Sequence, residues 1–445
     1  MAPMQAPLPP GTRGLPGIGE TLPFLRDGFG FIEERLARHG PVFRTNLLGK
    51  NAVVIAGPDA SRAWIDPEKV ERDRAMPANV QEIFGGRSLP LLDDAEHRAR
   101  KQQVLAGFNH AALADYASQM QPLMRTALES WSDPGAPTRG VDALKRLAID
   151  VIGRNVLGLE AGARLDALRE SYGVLTLGMT ALPVPVPGSK YRRALAARDR
   201  ILQILREEVA RVRAEPGAAC GLSRMLEAQA EDGSRLSDDS AVLELHHVVI
   251  AGYIVFAELV RVMQELARDG EIRRRIRSEL DEVVPRGEIT TADLRRLPFT
   301  LQVVKESKRL TPIVSVVFGK ARTDFELAGR RIPRGWMLLW APHSSMLWPS
   351  AFAEPRRFDP DRFSAERDEG ADEEIIYVPQ GPGRALGHKC PGVDYATLIM
   401  QVFLAHLVRD HEWEIPDQDM TMSWDRIPPE PRDGLLFRLH RRAVA

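Results

Sequence analysis

The chain is organised around the stretch from Tyr377 to Gly392, which reads Tyr-Val-Pro-Gln-Gly-Pro-Gly-Arg-Ala-Leu-Gly-His-Lys-Cys-Pro-Gly. Its glycines and prolines predict a loop of tight turns. The residues from Val393 to Leu404 have the apolar spacing of a helix, so Cys390 is predicted just before a helix N-terminus. Backbone amides and the helix dipole favour negative charge there, which suits a thiolate that binds a metal. A buried, inert cysteine beside a glycine-rich turn is the alternative that this stretch alone leaves open.

The composition bounds the class of protein. The 445 residues include 60 Lys and Arg against 61 Asp and Glu, a net charge of −1, so we expect no nucleic-acid partner. No apolar run approaches the roughly 20 residues that span a bilayer, and the first residues lack the pattern of a signal peptide. The two cysteines, Cys220 and Cys390, do not suggest a disulfide framework. We therefore expect a cytoplasmic protein without a membrane span.

The pattern along the chain predicts a short lead-in and one large domain. Residues 1–23 are rich in proline and glycine and predict an extended segment, whereas residues 24–445 contain no repeat or low-complexity linker. Residues 42–55 predict a β-hairpin, and residues 325–340 predict short strands with glycine turns. Most of the rest, up to about residue 310, has helical spacing. The expected fold is mainly α with a small β region.

The segment Gly387-His388-Lys389-Cys390-Pro391-Gly392, with the helix after it, resembles the haem-ligand loop of the cytochrome P-450 (haem-thiolate) family. Three further motifs upstream stand in the family's order, so the resemblance covers about residues 10 to 440. It implies the cytochrome P-450 fold of the soluble bacterial type, a single large domain around a buried haem b (iron protoporphyrin IX). It also implies that the thiolate of Cys390 binds the iron and forms the catalytic centre.

Basic residues at two places are implied to bind the haem propionates. His97 and Lys101 lie one turn apart on one face of a predicted helix, a pattern that alone fits an ordinary solvated basic face. The resemblance assigns both side chains to the propionates. It places His388 where most members have an arginine, two residues before the cysteine. A second family arginine corresponds to Gly319, with Lys320 next to it.

A further implied group of residues is structural. Glu306 and Arg309 lie three residues apart on a helix predicted over residues 298–310, where an exposed pair is worth only a few tenths of a kcal/mol. The segment Pro355–Phe363, which contains Arg357, follows at the family's distance. The resemblance therefore implies that Glu306, Arg309 and Arg357 form an interlocked triad on the side of the haem that faces the cysteine.

The longest apolar stretch, Ala241 to Arg268, predicts one deeply buried helix. The small pair Ala251–Gly252 is the place on it where a flat ligand could approach the backbone. The family usually follows this pair with an acid and an alcohol that deliver protons. Depending on the register, this chain has Tyr253 and Ile254, or Ile254 and Val255, at those positions. Positioned proton transfer is worth roughly 10²- to 10⁴-fold in rate, so the difference bears on mechanism.

The resemblance implies a monooxygenase that inserts one oxygen atom from O2 into a lipophilic small molecule of terpenoid, polyketide or fatty acyl type. No reductase domain is attached, so we expect a separate electron donor of the ferredoxin or flavodoxin type. Without the acid and alcohol, a peroxide-using peroxygenase and a redox-neutral isomerase or dehydratase stay open, as does a non-enzymatic haem carrier or sensor. The Cys390 loop also resembles that of fatty-acid peroxygenases, but their Arg-Pro pair is missing between Ala241 and Glu258.

Two surface features carry functional alternatives. Lys389, Arg384 and the basic residues from Arg98 to Lys101 could dock an acidic partner, or they could form an ordinary solvated surface. The alternating prolines between Ala181 and Gly188 exclude a helix and leave an extended apolar loop. This loop is either a stiff connector or a hydrophobic lid over a substrate entrance.

Overall fold

The computed structural model describes residues 6–132, 136–311, 313–424 and 426–442. The α-helices are α1 (Thr21–Arg26), α2 (Gly28–His39), α3 (Pro58–Trp64), α4 (Ala78–Ile83), α5 (Asp94–Ala106), α6 (His110–Trp131), α7 (Gly140–Ile152), α8 (Ala163–Gly178), α9 (Lys190–Ala214), α10 (Gly221–Glu227), α11 (Asp238–Tyr253), α12 (Phe256–Arg268), α13 (Gly270–Val283), α14 (Thr291–Leu294), α15 (Pro298–Leu310), α16 (Pro342–Met346) and α17 (Val393–Asp410). The strands are β1 (Val42–Leu47), β2 (Lys50–Ile55), β3 (Val70–Glu71), β4 (Thr138–Arg139), β5 (Val317–Ala321), β6 (Phe325–Leu327), β7 (Arg330–Ile332), β8 (Met337–Trp340), β9 (His411–Glu414), β10 (Met422–Ser423), β11 (Glu430–Pro431) and β12 (Leu436–Arg441). Short 3₁₀ turns lie at Leu89–Leu91 and Pro360–Phe363, and a π turn lies at Gly153–Leu157.

The largest sheet has the strand order β1-β2-β8-β5-β3. β1 and β2 pair antiparallel as the predicted hairpin, and β8 pairs parallel to β2. Side chains alternate between the two faces of β2. Val53 and Ile55 pack with Trp64 of α3 on one face, and Val54 packs with Phe31 of α2 on the other. The prediction of a small β region inside a mainly helical fold is confirmed.

The lead-in is attached to the edge of this sheet rather than extending freely from it. Its first five residues lie outside the described ranges. Farther along, the Arg44 amide donates to the Pro10 carbonyl at 2.7 Å, and the Glu20 amide donates to the Asn46 carbonyl at 2.7 Å. The segment therefore runs along β1 and delivers α1 to one side of the sheet.

α17 is the central helix of the helical part. Met400, Phe403 and Leu404 have no exposed surface, and the helix packs against α6, α13 and α15. Burial of such large apolar side chains is worth about 1.5–3 kcal/mol each. Because α17 begins three residues after Cys390, the helix that anchors the core also fixes the position of this thiol.

The apolar stretch predicted as one helix is divided in two. α11 ends at Tyr253 and α12 begins at Phe256. At this junction the Val255 amide donates to the Gly252 carbonyl at 3.3 Å, an i→i−3 bond in place of the α-helical i→i−4 bond. The prediction of an unbroken helix is therefore wrong. Gly252 and two β-branched residues weaken the helix here, but each costs at most about 1 kcal/mol, too little to predict a break.

The segment Asp238–Arg268 is long and apolar enough to cross a membrane by composition alone. However, 72% of its most apolar window is buried inside the protein. The apolar surface of α11 and α12 is therefore used for packing against the surrounding helices.

Candidate active site

A cavity of about 860 Å³ lies between the Cys390 loop and the junction of α11 with α12. We call the side formed by the Cys390 loop the proximal side and the side formed by the junction the distal side. Ala251, Gly252, Ile254 and Val255 line the distal side. The size lies at the upper end of the range of about 300–1,000 Å³ for small-molecule sites. The sequence-predicted thiol and distal residues are therefore brought together around one cavity.

The proximal loop holds Cys390 by its backbone. The Cys390 amide donates to the Gln380 carbonyl at 3.0 Å, and Gly381 (φ 96°) and Gly383 (φ 93°) adopt left-handed conformations that favour glycine. Removal from water raises the pKa of the Cys390 thiol, while a backbone hydrogen bond from Gly392 and nearby lysine charges oppose that rise. A bound metal ion would stabilise the thiolate far more strongly than these groups do.

The basic residues expected at the propionates meet at one end of the cavity. The rings of His97 and His388 lie 4.0 Å apart between centroids, and the Lys101 ammonium donates to the Lys389 carbonyl. The pKa of His97 is lowered to about 3, mainly by burial and in addition by the charges of His388 and Lys101. These basic groups would favour an anionic group between them, in addition to Asp93, whose Oδ1 lies 3.7 Å from His388 Nε2.

Arg72 is a further basic residue at this end that no sequence motif had indicated. Its guanidinium lies 3.9 Å from the centre of the Trp64 ring, and Nη2 donates to the Trp64 carbonyl at 3.2 Å. Nη1 is buried without a partner among the described residues. Burial lowers the pKa of Arg72 to about 9, and Asp93 opposes this shift. An unpaired, buried guanidinium N–H that lines the cavity is suited to an anionic oxygen.

The surroundings of Arg72 explain the missing arginine at position 319. Residues 70–71 of β3 pair with residues 320–321 of β5, so Arg72 follows directly beside that position. A Cβ on Gly319 would lie 2.9 Å from the Trp64 ring. The Trp64 ring thus fills the space next to Gly319, and the neighbouring strand supplies a guanidinium instead. Only the pairing of β3 with β5 reveals that Arg72 lies beside Gly319, because these two residues are far apart in sequence.

The predicted triad forms with one different member. Arg309 binds the Glu306 carboxylate twice, with Nε at 2.7 Å from Oε2 and Nη2 at 2.8 Å from Oε1. The third residue is Arg362, whose Nε lies 3.1 Å from Glu306 Oε1, and all three side chains have no exposed surface. The Arg357 side chain instead faces solvent and pairs with Glu354 at 3.1 Å. The assignment of Arg357 to the triad is therefore wrong.

The reason lies in the local backbone. The 3₁₀ turn Pro360–Phe363 directs Arg362 inward, whereas Arg357 contributes only its carbonyl, which accepts from Arg309 Nη2 and Arg362 Nη2 at 3.3 Å each. The sequence offers several arginines between residues 355 and 363, and spacing alone does not choose between them.

The distal residues divide by the direction of their side chains. Ile254 and Val255 line the cavity, whereas Tyr253 packs against Tyr172 at a centroid distance of 6.2 Å and is not among the lining residues. The cavity-facing register is therefore the one that places Ile254 and Val255 where the family has its acid and alcohol. A Cβ on Gly252 would lie 2.5 Å from Ile152 Cδ1, so this glycine permits close packing of α7 on α11.

Two polar side chains of the same helices also face the cavity, although no sequence expectation named them. They are His247 of α11 and Glu258 of α12. Positions 247, 251, 254 and 258 follow the i, i+4, i+7, i+11 spacing of one helix face. This periodicity was a usable signal, since Ala251 and Ile254 were already expected at the cavity.

Comparison with known proteins identifies the family. The family model described as Cytochrome P450 matches residues 9–433. The chain is 28% identical to abscisic acid 8'-hydroxylase 3 of Oryza sativa subsp. indica, over 98% of this chain and 87% of that protein. It is also 28% identical to taxane 13-alpha-hydroxylase of Taxus cuspidata, over 98% of this chain and 92% of that protein. The solved structure of a retinoic acid bound cyanobacterial CYP120A1 superposes with a TM-score of 0.90 and 26% identity, covering 99% of this chain and all (100%) of that one. The chain belongs to the cytochrome P450 family and is a haem-binding monooxygenase.

Proposed function

We propose that this protein inserts one oxygen atom from O2 into a lipophilic small molecule, with Cys390 as the iron ligand of its haem and a separate redox protein as the electron donor. The observation that carries the proposal is the Cys390 thiol, which stands at the head of α17 and faces a large cavity. When bound, a haem with a thiolate ligand supplies an iron centre whose electron-rich ligand favours cleavage of the O–O bond.

The residues around the cavity fit a haem. Cys390 provides the soft sulfur donor, and the basic groups of Arg72, His97, Lys101 and His388 stand together where two propionates would need positive charge. The unpaired Nη1 of Arg72 is the clearest sign, because a buried N–H without an acceptor is costly and an anion would satisfy it. Ala251 offers a small side chain on the opposite side, where a flat ring can approach the helix.

The substrate proposed for this site is a lipophilic molecule of terpenoid, polyketide or fatty acyl type. Apolar side chains such as Phe84, Phe108, Val248 and Ile313 line the cavity, and burial of apolar surface favours an apolar ligand there. The relatives are named for hydroxylation of abscisic acid and taxanes, and the solved neighbour binds retinoic acid. These are lipophilic molecules, which supports the same class here.

The loop between α8 and α9 is proposed as the lid of the substrate entrance. Pro183 and Pro185 line the cavity, while Leu182, Val184 and Val186 are each about half exposed, at 52%, 49% and 53%. A plain connector has no need for apolar side chains in water. An apolar loop at a cavity mouth gives a lipophilic substrate a first surface to contact.

The electron donor is proposed to approach the proximal side. Arg384 and Arg98 are exposed and Lys389 is half-buried there, and these basic groups could face an acidic redox protein, although Arg384 also pairs with Glu374 at 3.1 Å. Two members of the predicted docking cluster are turned inward: Arg100 pairs with buried Glu244 at 3.0 Å, and Lys101 is itself buried. The proposed docking surface therefore does not include Arg100 or Lys101. Both cysteines are free, which suits the reducing cytoplasm where such donors work.

The experiment is turnover of the purified haem protein under ¹⁸O2. A ligand panel is first screened by the Soret shift, and hits are incubated with NADPH and surrogate ferredoxin and reductase. We expect a product that carries one ¹⁸O atom and forms only with reductant. Product formed with hydrogen peroxide alone would instead assign a peroxygenase, and product formed with neither would assign an isomerase or dehydratase. A haem-loaded protein that shifts with no lipophilic ligand would assign a carrier or sensor.

A further inference from the structure

Glu258 is a buried carboxylic acid on the distal side of the cavity, one helical turn beyond Ile254. Its side chain is 3% exposed and lines the same cavity as Cys390. Oε2 has no hydrogen-bond partner among the described residues. A buried carboxyl that satisfies neither water nor a protein partner is unfavourable for folding. Glu244 Oε2 is unpaired in the same way among the described residues, so it is the position of Glu258 in the lining of the reaction cavity that points to a functional role.

Burial favours the protonated form of Glu258, and a nearby positive charge favours its ionised form. Burial raises the pKa of Glu258, and the positive charge of Lys308 opposes that rise. Lys308 belongs to α15 and donates from Nζ to Thr397 Oγ1 at 2.9 Å and to the Val393 carbonyl at 3.3 Å, so it acts on Glu258 through its charge. Tyr377 and Cys390 are the other titratable groups that interact with Glu258 electrostatically. A buried carboxyl with a raised pKa holds its proton more tightly than an exposed one, and the Lys308 charge stabilises the carboxylate that remains once the proton is released.

We propose that Glu258 is the proton-donating residue of the monooxygenase reaction, in place of the acid and alcohol that positions 254 and 255 lack. The inference rests on the proposed function. It differs from the family's arrangement, because the acid comes from the start of α12, beyond the helix break, and lines the same cavity as Ala251 and Ile254.

The proton balance defines what Glu258 has to do. In the overall reaction RH + O2 + 2e⁻ + 2H⁺ gives ROH + H2O: the O–O bond and a C–H bond break, and one oxygen enters the C–H bond. The second oxygen leaves as water after it has taken up two protons. The electrons come from the redox protein and the protons come from solvent. One carboxyl carries one proton at a time, so Glu258 donates to the departing oxygen and is reprotonated between the two transfers.

The direct test compares Glu258→Gln with Glu244→Gln in the haem-loaded protein. Glutamine keeps the volume of the side chain but carries no transferable proton. Glu244 is the matched control because it is also buried, belongs to the neighbouring helix α11 and is not among the cavity-lining residues. We expect E258Q to lower product formed per NADPH by roughly 10²-fold, the scale of a positioned proton transfer, with the substrate-induced Soret shift retained. E244Q should couple reductant to product like the unmodified protein.

A rescue variant separates proton delivery from a general effect on the fold. Adding Val255→Thr to E258Q should restore part of the lost coupling, because a hydroxyl then faces the cavity at the position the family uses. Glu258→Asp should retain intermediate coupling, since it keeps the acid and shortens it by one methylene. If E258Q does not load haem, the test becomes the product formed per NADPH by E258D. A value equal to that of the unmodified protein at all pH values would overturn the proposal.

An infrared measurement tests the proton itself and does not depend on turnover. Binding of CO to the reduced haem protein should shift a C=O stretching band of a protonated carboxyl, because the ligand enters the cavity that Glu258 lines. The band should be missing in E258Q and present in E244Q.

A band that survives in E258Q, or a product yield per NADPH in E258Q that equals that of the unmodified protein, contradicts the proposal. Absence of any ¹⁸O-labelled product from the unmodified protein would overturn the proposed monooxygenase function instead, and the infrared result would stand by itself.

Discussion

The proximal and distal sides of the cavity differ in whether their buried charged groups are paired. On the proximal side, Glu306, Arg309 and Arg362 bind one another and have no exposed surface. On the distal side, Glu258 Oε2 has no partner among the described residues, and His247 faces the cavity. Fully paired buried charges hold elements in place, whereas unpaired ones are retained at a cost to stability. The contrast separates residues that build the site from residues that act in it.

The largest effect expected from this contrast concerns the triad. Glu306→Ala leaves Arg309 buried without a counter-charge and leaves Arg362 with Glu369 alone, so we expect the free energy of unfolding to fall by about 3–5 kcal/mol. Arg357→Ala is the matched control, because its side chain is exposed and should change stability by no more than about 0.5 kcal/mol. Denaturant unfolding followed by circular dichroism measures both. Equal losses in the two variants would return Arg357 to the triad.

The pair His246 and His247 repeats the contrast within one helix. His246 is fully buried, with Nδ1 3.1 Å from the Tyr172 hydroxyl and Nε2 3.1 Å from the Ile83 carbonyl. Burial lowers its pKa to about 4, below the ordinary value of about 6.5. The unfolded chain therefore binds a proton in that window that the native protein excludes.

The sign of the pH effect follows from this lowered pKa. Stability should be full above about pH 6.5 and should fall as the pH drops towards about 4, by about 1.4 kcal/mol per pH unit for this one group. His246→Gln should flatten that slope in urea unfolding curves measured across the window. An unchanged slope would show that His246 is not the group being titrated, since other buried histidines would then dominate.

Arg72 gives the next largest effect, on retention of the cofactor. Arg72→Gln removes the guanidinium that faces the cavity with an unpaired Nη1, so we expect haem to leave about tenfold faster, in line with about 1.5 kcal/mol for a charge-assisted hydrogen bond. Transfer of haem to apomyoglobin measures the rate. Arg74→Gln is the control, because Arg74 lies two residues away with its side chain 86% exposed. The same rate for R72Q and R74Q would exclude Arg72 from the propionate site.

The smallest effect concerns the substrate and His247, the histidine that faces the cavity. Burial lowers the pKa of His247 to about 4, so its imidazole is neutral at physiological pH and can donate or accept one hydrogen bond. His247→Leu should weaken binding of ligands that carry an oxygen by up to about tenfold and leave pure hydrocarbons unaffected. Soret titrations with matched ligands, such as an alcohol and the corresponding alkane, provide the measurement. Parallel losses for both ligands would indicate a change of cavity shape instead.

The elements that the sequence predicts correctly are those marked by a pattern of neighbouring residues. The Cys390 loop, the β1–β2 hairpin and helices α2, α15 and α17 follow from glycine spacing and apolar periodicity, and the structure confirms them. Arg362 was missed because a 3₁₀ turn, not spacing, decides which arginine points inward. Arg72 was missed because only the pairing of β3 with β5 brings it beside Gly319.

The distal helix shows why the remaining errors occurred. No proline marks the end of α11, and the sequence around the break at residues 254–255 carries no strong local signal. Glu258 was within reach of sequence reasoning, because it continues the face of Ala251 and Ile254. The family's motif does not indicate it, because the acid and alcohol positions are residues 253–255, three to five residues before Glu258. When the family's acid and alcohol are missing from their usual positions, other acidic residues on the same face of the helix are therefore candidates for their role.

The central claim is that the sulfur of Cys390 binds the haem iron, and the CO spectrum of the reduced protein tests it most directly. Cys390→Ser is compared with Cys220→Ser, since Cys220 is the other free cysteine and lies buried at the start of α10, away from the cavity. We predict that C220S keeps the red-shifted Soret band of a thiolate-bound carbonyl complex and that C390S loses it. A C390S protein that takes up haem and retains the same red-shifted band would contradict the account.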